Sequence, residues 1–308
     1  MSDKSATRKT LGEQILAGLG SAGYLALDTL FRLLPEPTGY RLARVVGGML
    51  RPPGLRKPMR DMMKAVLGNP GWTKARWQEL LEGHLRWVGR MSIENSYWLR
   101  LPVHELRRRV TVRGQEHLAE ALKSGRGAML FANHLGNFMS FVVRSACWAP
   151  EVCAFGNPMP TPVIERPFQE FHRRLNVTRW LVGQGLSFRA EDVLRRNGLV
   201  VTFIDLTTVK RNNVWVRFGH AETLVNLGPA LLALRHDVEA LCLTFMPLHG
   251  LHHQITIHPP LTRDRSGDIE ADALQLTQRA LDLVTEELFR RPEQWWQWNA
   301  VRFRDGRS

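Results

Sequence analysis

Fifteen residues, Gly125-Arg-Gly-Ala-Met-Leu-Phe-Ala-Asn-His-Leu-Gly-Asn-Phe-Met139, constrain the fold of this chain more than any other stretch. A glycine turn leads into an apolar run over residues 128–132, the length of a buried strand and too short for a helix. The run opens onto Asn133, His134, Gly136 and Asn137, and the pattern predicts a helix over 138–148. A strand feeding a helix N-terminus leaves backbone N–H groups unpaired and favours negative charge there. A histidine at such a junction can act as a general base near neutral pH. Position alone does not distinguish that role from a hydrogen-bonded structural one.

The rest of the chain alternates in the same way. Strands are predicted over 110–113, 152–155, 179–182, 199–204 and 214–218, with helices over 117–124, 168–175, 188–196 and 226–234. Residues 238–246 and 253–257 read as a hairpin pair, and 272–290 as a long amphipathic helix. Upstream, helices are predicted over 40–50, 57–66 and 73–100, with proline-marked loops at 52–58 and 158–167. This alternation predicts an α/β fold: a mixed, mostly parallel sheet flanked by helices, with a helical N-terminal extension. The simplest division is a helical region over 1–100 and a catalytic domain over 101–308.

The extension bears on partners. Residues 1–10 read as a cationic tail without a cleavable signal sequence. Residues 11–34 are apolar and helical, but Asp28 and Arg32 interrupt them. That falls short of the ~20 uninterrupted apolar residues of a membrane crossing. An interfacial helix or marginal anchor is expected instead, flanked by Lys4, Arg8, Lys9, Arg41, Arg44 and Arg51. The chain carries a net charge of +13 over 308 residues, which suits an anionic membrane surface or an acidic carrier protein. Zinc-finger spacing and RNA-binding aromatic signatures are missing, so nucleic acid is not expected as a partner.

The absent motifs narrow the chemistry. There is no Gly-x-Ser-x-Gly elbow, no Walker loop and no Gly-x-Gly-x-x-Gly after a strand, so no nucleotide cofactor is expected. His249, His252 and His253 crowd a hairpin tip without a neighbouring carboxylate or cysteine, and no metal is expected. Cys147, Cys153 and Cys242 form no CxxC pair, which suits a reducing compartment and buried thiols.

Asp205 is the second candidate group. It ends the apolar run 199–204, and in open α/β sheets ligands bind beyond the carboxyl ends of strands. It could therefore share a site with His134, or be a turn residue or helix cap. Arg173 and Arg174 could bind a phosphate or carboxylate, or belong to a solvated helix face.

Taken together, these motifs resemble the late acyltransferases of lipid A biosynthesis, the lauroyl- and myristoyltransferase family. Asn133-His-Leu-Gly-Asn-Phe138 looks like the family's His-x4-Asp/Glu signature. Thr161-Pro-Val-Ile-Glu165 through Arg174 is similar to its arginine block, and Thr202-Phe-Ile-Asp205 with Val214-Trp-Val-Arg-Phe-Gly219 to its aspartate block. Pro292-Glu-Gln-Trp-Trp-Gln-Trp-Asn-Ala-Val-Arg-Phe303 resembles its C-terminal signature, and the apolar N-terminal segment its membrane anchor. The resemblance implies a glycerolipid-acyltransferase-like fold on the cytoplasmic face of the inner membrane. It implies transfer of a fatty acyl group from acyl carrier protein to a hydroxyl of a glycolipid. His134 would be the base, supported by Arg174 (or Arg173) and Asp205, with Gly136 and Asn137 on the substrate side.

One position departs from the family. Its motif acid is replaced by Met139, and a thioether cannot hold an imidazole tautomer. Asp205, Glu165 or Glu222 could supply the missing carboxylate. Otherwise the acceptor could be a stronger nucleophile such as an amine, or the chain could bind carrier protein and lipid without turnover.

Overall fold

The computed structural model describes residues 23, 25–31, 33–68, 71–159, 161–181, 186–206, 213–298 and 303–305. The predicted cationic tail, residues 11–22 of the apolar segment and residues 299–302 of the C-terminal signature lie outside them.

Seven strands form the central sheet: β1 (Val110–Arg113), β2 (Ala128–Ala132), β3 (Val152–Gly156), β4 (Thr178–Leu181), β5 (Leu199–Phe203), β8 (Glu239–Pro247) and β9 (His253–Pro260). Their order is β1-β9-β8-β2-β5-β3-β4. Only β8 against β9 is antiparallel, so β8, β2, β5, β3 and β4 run one way and β9 and β1 the other. A small antiparallel sheet holds β6 (Asn213–Phe218), β7 (Ala221–Asn226) and β10 (Phe303–Asp305).

β2 is buried along its whole length because both sheet faces are covered. Strand alternation sends Met129 and Phe131 into one core, and Ala128, Leu130 and Ala132 into the other. The first core is built with α3 (Pro53–Leu67), α4 (Lys74–Trp98), α9 (Leu186–Arg195), α10 (Gly228–Arg235) and α11 (Ile269–Arg290). The second draws on α2 (Ala43–Leu50), α5 (Val103–Arg109), α6 (Gln115–Leu122), α7 (Ser140–Ser145) and α8 (Pro162–Arg174). The α/β class and the mostly parallel mixed sheet are as the sequence predicts.

Several local expectations change. The predicted loop at 52–58 is mostly helix, because Pro53 takes the first helical turn, where a missing N–H costs nothing. The same holds for 158–167, where Pro162 opens α8. The helix predicted over 40–50 is divided between α1 (Glu36–Arg41) and α2, and the one over 138–148 contracts to α7. α5, β7 and β10 have no counterpart in the sequence reading. Cys153 and Cys242 are buried thiols, but Cys147 is exposed.

α2 lies directly on α4. A Cβ added at Gly47 would sit 1.7 Å from Leu85 O, and one at Gly89 1.6 Å from Ala43 O. Two glycines therefore let the backbones touch. This turns Ala43, Val46 and Gly47 inward and leaves Val45 and Met49 about 60 % exposed.

Candidate active site

The site follows from strand register. β2 and β5 are parallel neighbours with Ala132 opposite Phe203. Each chain runs two residues further, and the two side chains that meet are His134 and Asp205. His134 Nδ1 lies 2.8 Å from Asp205 Oδ1, and the His134 backbone N–H donates to Asp205 Oδ2 at 2.7 Å. A carboxylate can only accept, so the ring proton sits on Nδ1 and the Nε2 lone pair is left for chemistry.

Asp205 is fully buried, whereas the His134 side chain keeps 13 % of its surface exposed. Burial alone would push the Asp205 carboxyl up. The charge the His134 ring carries when protonated, its two hydrogen bonds and the Trp295 indole outweigh burial and hold it below the usual carboxylate range. The imidazole is flanked by Phe203 at 4.3 Å and Phe138 at 4.9 Å between ring centroids. The imidazole therefore stands in an apolar collar with one edge open.

The turn carrying His134 is braced from three sides. Asn133 donates to Leu243 O at 2.7 Å and accepts from the Leu135 N–H at 3.1 Å. Gly136 has φ +70°, and an added Cβ would sit 2.3 Å from Phe245 O, so only glycine fits. The C-terminal strap, residues 293–296, pairs with the turn: Gly136 N–H donates to Gln294 O at 3.3 Å and Trp296 N–H to His134 O at 2.9 Å, with Leu135 bridged to Trp295. The Trp295 indole N–H donates to Asp205 Oδ2 at 2.8 Å.

Asn137 turns inward and does not line the open edge. It is buried, and its Nδ2 donates to Glu94 Oε2 at 3.0 Å. Glu94, itself fully buried, accepts from Arg90 at 2.7 Å. His253 Nε2 lies 3.2 Å from Glu94 Oε2 without the alignment of a hydrogen bond. Burial would raise the Glu94 carboxyl, but His253 and Arg90 hold it low. This buried charge cluster ties α4 to the turn and to the start of β9.

The two arginines go elsewhere. Arg174 gives both terminal nitrogens to carbonyls of the segment after α4, Leu99 O and Leu101 O, each at 2.5 Å. Arg173 is exposed and forms a bidentate pair with Glu170. Of the three carboxylates weighed as partners of His134, only Asp205 reaches it; Glu165 pairs with Arg179, and Glu222 with Arg304. Met139 is buried in the second core.

The sequence reading missed Trp295 as a partner of Asp205 and Glu94 as a partner of Asn137. The Trp-rich C-terminal motif was the available signal for the first. Nothing local marks Glu94.

No curated protein matches the chain. The family model described as bacterial lipid A biosynthesis acyltransferase matches residues 16–305, and with that span and this site the chain belongs to the lipid A biosynthesis acyltransferases, a family of enzymes that transfer acyl groups.

Proposed function

We propose that this enzyme moves a fatty acyl group from acyl carrier protein to a hydroxyl of a lipid A-type glycolipid, with His134 as general base and Asp205 as its orienting partner. The observation that carries this reading is the 2.8 Å His134–Asp205 contact with the ring edge still open. Nε2 takes the proton from the acceptor hydroxyl as its oxygen attacks the thioester carbonyl carbon. The C–S bond then breaks, and the imidazolium returns the proton to the leaving thiolate. Asp205 keeps the tautomer correct and stabilises the transient imidazolium. The collar of Phe138 and Phe203 excludes water, which favours transfer over hydrolysis.

Asp205 supplies the function that Met139 cannot, so the reading does not require an amine acceptor. Arg174 supports the site from a distance by fixing the segment after α4. Gly136 and Asn137 act on substrate through the shape of the turn.

Residues 1–100 serve as a membrane-associated region and 101–308 as the acyltransferase domain. Among the described residues no helix is long and apolar enough to cross a membrane. Leu33, Val45 and Met49 are exposed near Arg41 and Arg44, an arrangement suited to lying in an anionic interface on the cytoplasmic face of the inner membrane.

Acyl transfer from labelled acyl carrier protein into membrane lipid extract tests the reading. The wild type should yield a labelled lipid whose mass names the acceptor, and His134→Ala should yield none. Equal silence of both proteins, with carrier protein still bound, would replace the enzyme with a binding subunit.

A further inference from the structure

The strap that braces His134 is itself held from behind. Its four residues alternate in what they face. Gln294 O, Trp295 and the Trp296 N–H engage the His134 turn, as described above. The carbonyls of Glu293 and Trp296 point the other way, into the N-terminal helical layer. His84 on α4 donates from Nδ1 to Glu293 O at 2.9 Å, since a carbonyl can only accept. Arg51, at the C-terminal end of α2, donates to Trp296 O at 3.2 Å and lays its guanidinium 4.8 Å from the centre of the Trp296 ring.

Arg51 is an unusual residue to find in this place. It is buried, and among the described residues no carboxylate pairs with it. Its other terminal nitrogen bonds the carbonyl of Leu50, and its Nε has no partner. Burial pulls its ionisation down to about 10, which still leaves it cationic at neutral pH. A buried cation without a counter-charge carries a free-energy penalty. An apolar side chain of similar size could fill the space without that penalty. The planar fork does what an apolar chain cannot: it stacks on the Trp296 ring and bonds the Trp296 carbonyl together. The same peptide residue uses its N–H to hold His134 O at 2.9 Å.

From this geometry we infer that Arg51 is a positioning residue for the His134–Asp205 dyad, acting through Trp296. The effect is indirect, because Arg51 and the imidazole lie on opposite sides of the strap. It also links the dyad to α2, whose outer face carries Val45 and Met49. The kinetic part of the inference rests on the acyl-transfer reading above; the geometric part does not.

The test compares Arg51→Met and Arg51→Lys with wild type and His134→Ala. Folding is checked by the unfolding midpoint, acyl transfer by kcat and KM, and the dyad by proton NMR of the His134 Nδ1–H. For folded Arg51→Met, kcat should fall at least tenfold while KM for each substrate stays within twofold. Its Nδ1–H should exchange with water at least ten times faster. Arg51→Lys should recover part of both, since it restores charge but not the stacked fork. If Arg51→Met does not fold, Arg51→Lys carries the test, with kcat at least threefold below wild type and faster Nδ1–H exchange. Wild-type kcat and exchange in the folded variant would overturn the inference. So would a raised KM with kcat unchanged, which would make Arg51 a substrate-binding residue. If wild type and His134→Ala are equally silent in transfer, the acyl-transfer reading fails, and Nδ1–H exchange still decides the role of Arg51.

Discussion

Trp295 donates its indole N–H to Asp205 Oδ2 at 2.8 Å, across 90 positions of sequence. Asp205 therefore has both oxygens fixed, Oδ1 by the His134 ring and Oδ2 by Trp295 and the His134 backbone. Trp295→Phe keeps most of the packing and removes one of these donors. A hydrogen bond to a charged group contributes about 1.5–3 kcal/mol, so kcat should fall roughly tenfold to a hundredfold. Steady-state transfer with purified protein measures this; an unchanged kcat would show that the His134 bonds suffice to orient the carboxylate.

Asp205→Asn should cost more. An amide can donate to Nδ1 and drive the ring proton to Nε2, which leaves the base with its lone pair facing the wrong way. The loss expected for such a tautomer reversal is about 10⁴ in turnover. Single-turnover transfer is sensitive enough to follow it.

Placing a carboxylate at position 139 should not help. Nδ1 is already occupied by Asp205, and position 139 is buried in an apolar core. Met139→Glu should therefore leave transfer no faster than wild type and lower stability by about 1–3 kcal/mol, read from chemical unfolding. A large gain in rate would mean that a second carboxylate can take over the ring.

Stability should decline in acid well above the carboxylate range. Burial lowers the His84 imidazole to about 3 and the His172 imidazole to about 4, from an ordinary 6.5. Each donates Nδ1–H to a backbone carbonyl, Glu293 O and Phe168 O. Between those values and 6.5 the unfolded chain binds protons that the folded chain refuses. Stability is therefore full above pH 6.5 and falls as pH drops, by up to about 1.4 kcal/mol per pH unit for each histidine. His84→Asn keeps a donor for Glu293 and removes one titration. Chemical unfolding between pH 7 and 4 should show a smaller acid loss, with the contributions of His172, His252 and His258 remaining.

Gly89→Ala should separate α2 from α4. The added methyl would sit 1.6 Å from Ala43 O, which is backbone and cannot give way alone. Alanine's helix propensity gains only about 1 kcal/mol. Net destabilisation of about 3 kcal/mol or more is expected from thermal unfolding, together with a loss of transfer as Arg51 moves with its helix.

Much of this was legible in the residues. The apolar runs at 128–132 and 199–204 declared buried strands, and His134 and Asp205 were visible just past their ends. Their meeting was not legible, because it depends on β2 and β5 being neighbours in register. The prolines misled: Pro53 and Pro162 read as loop markers, yet both begin helices, where proline is at home. Glu94 lay in a helix with nothing local to mark it as buried, and its partners Asn137 and His253 come from distant segments. Arg174 carried a family role in sequence, but its reach is set by the carbonyls that happen to lie opposite it.

The strap has a kinetic consequence. It joins His84 to Glu293 across 209 positions and Arg51 to Trp296 across 245. Contacts this remote close large loops and form slowly. The central sheet can assemble from nearer neighbours, so His134 can meet Asp205 before the strap closes over the turn. On the proposed mechanism, competence of His134 as a base is then the last property the protein acquires. During refolding, acyl transfer should lag behind the recovery of sheet structure, and a chain caught between the two should leave thioesters unspent.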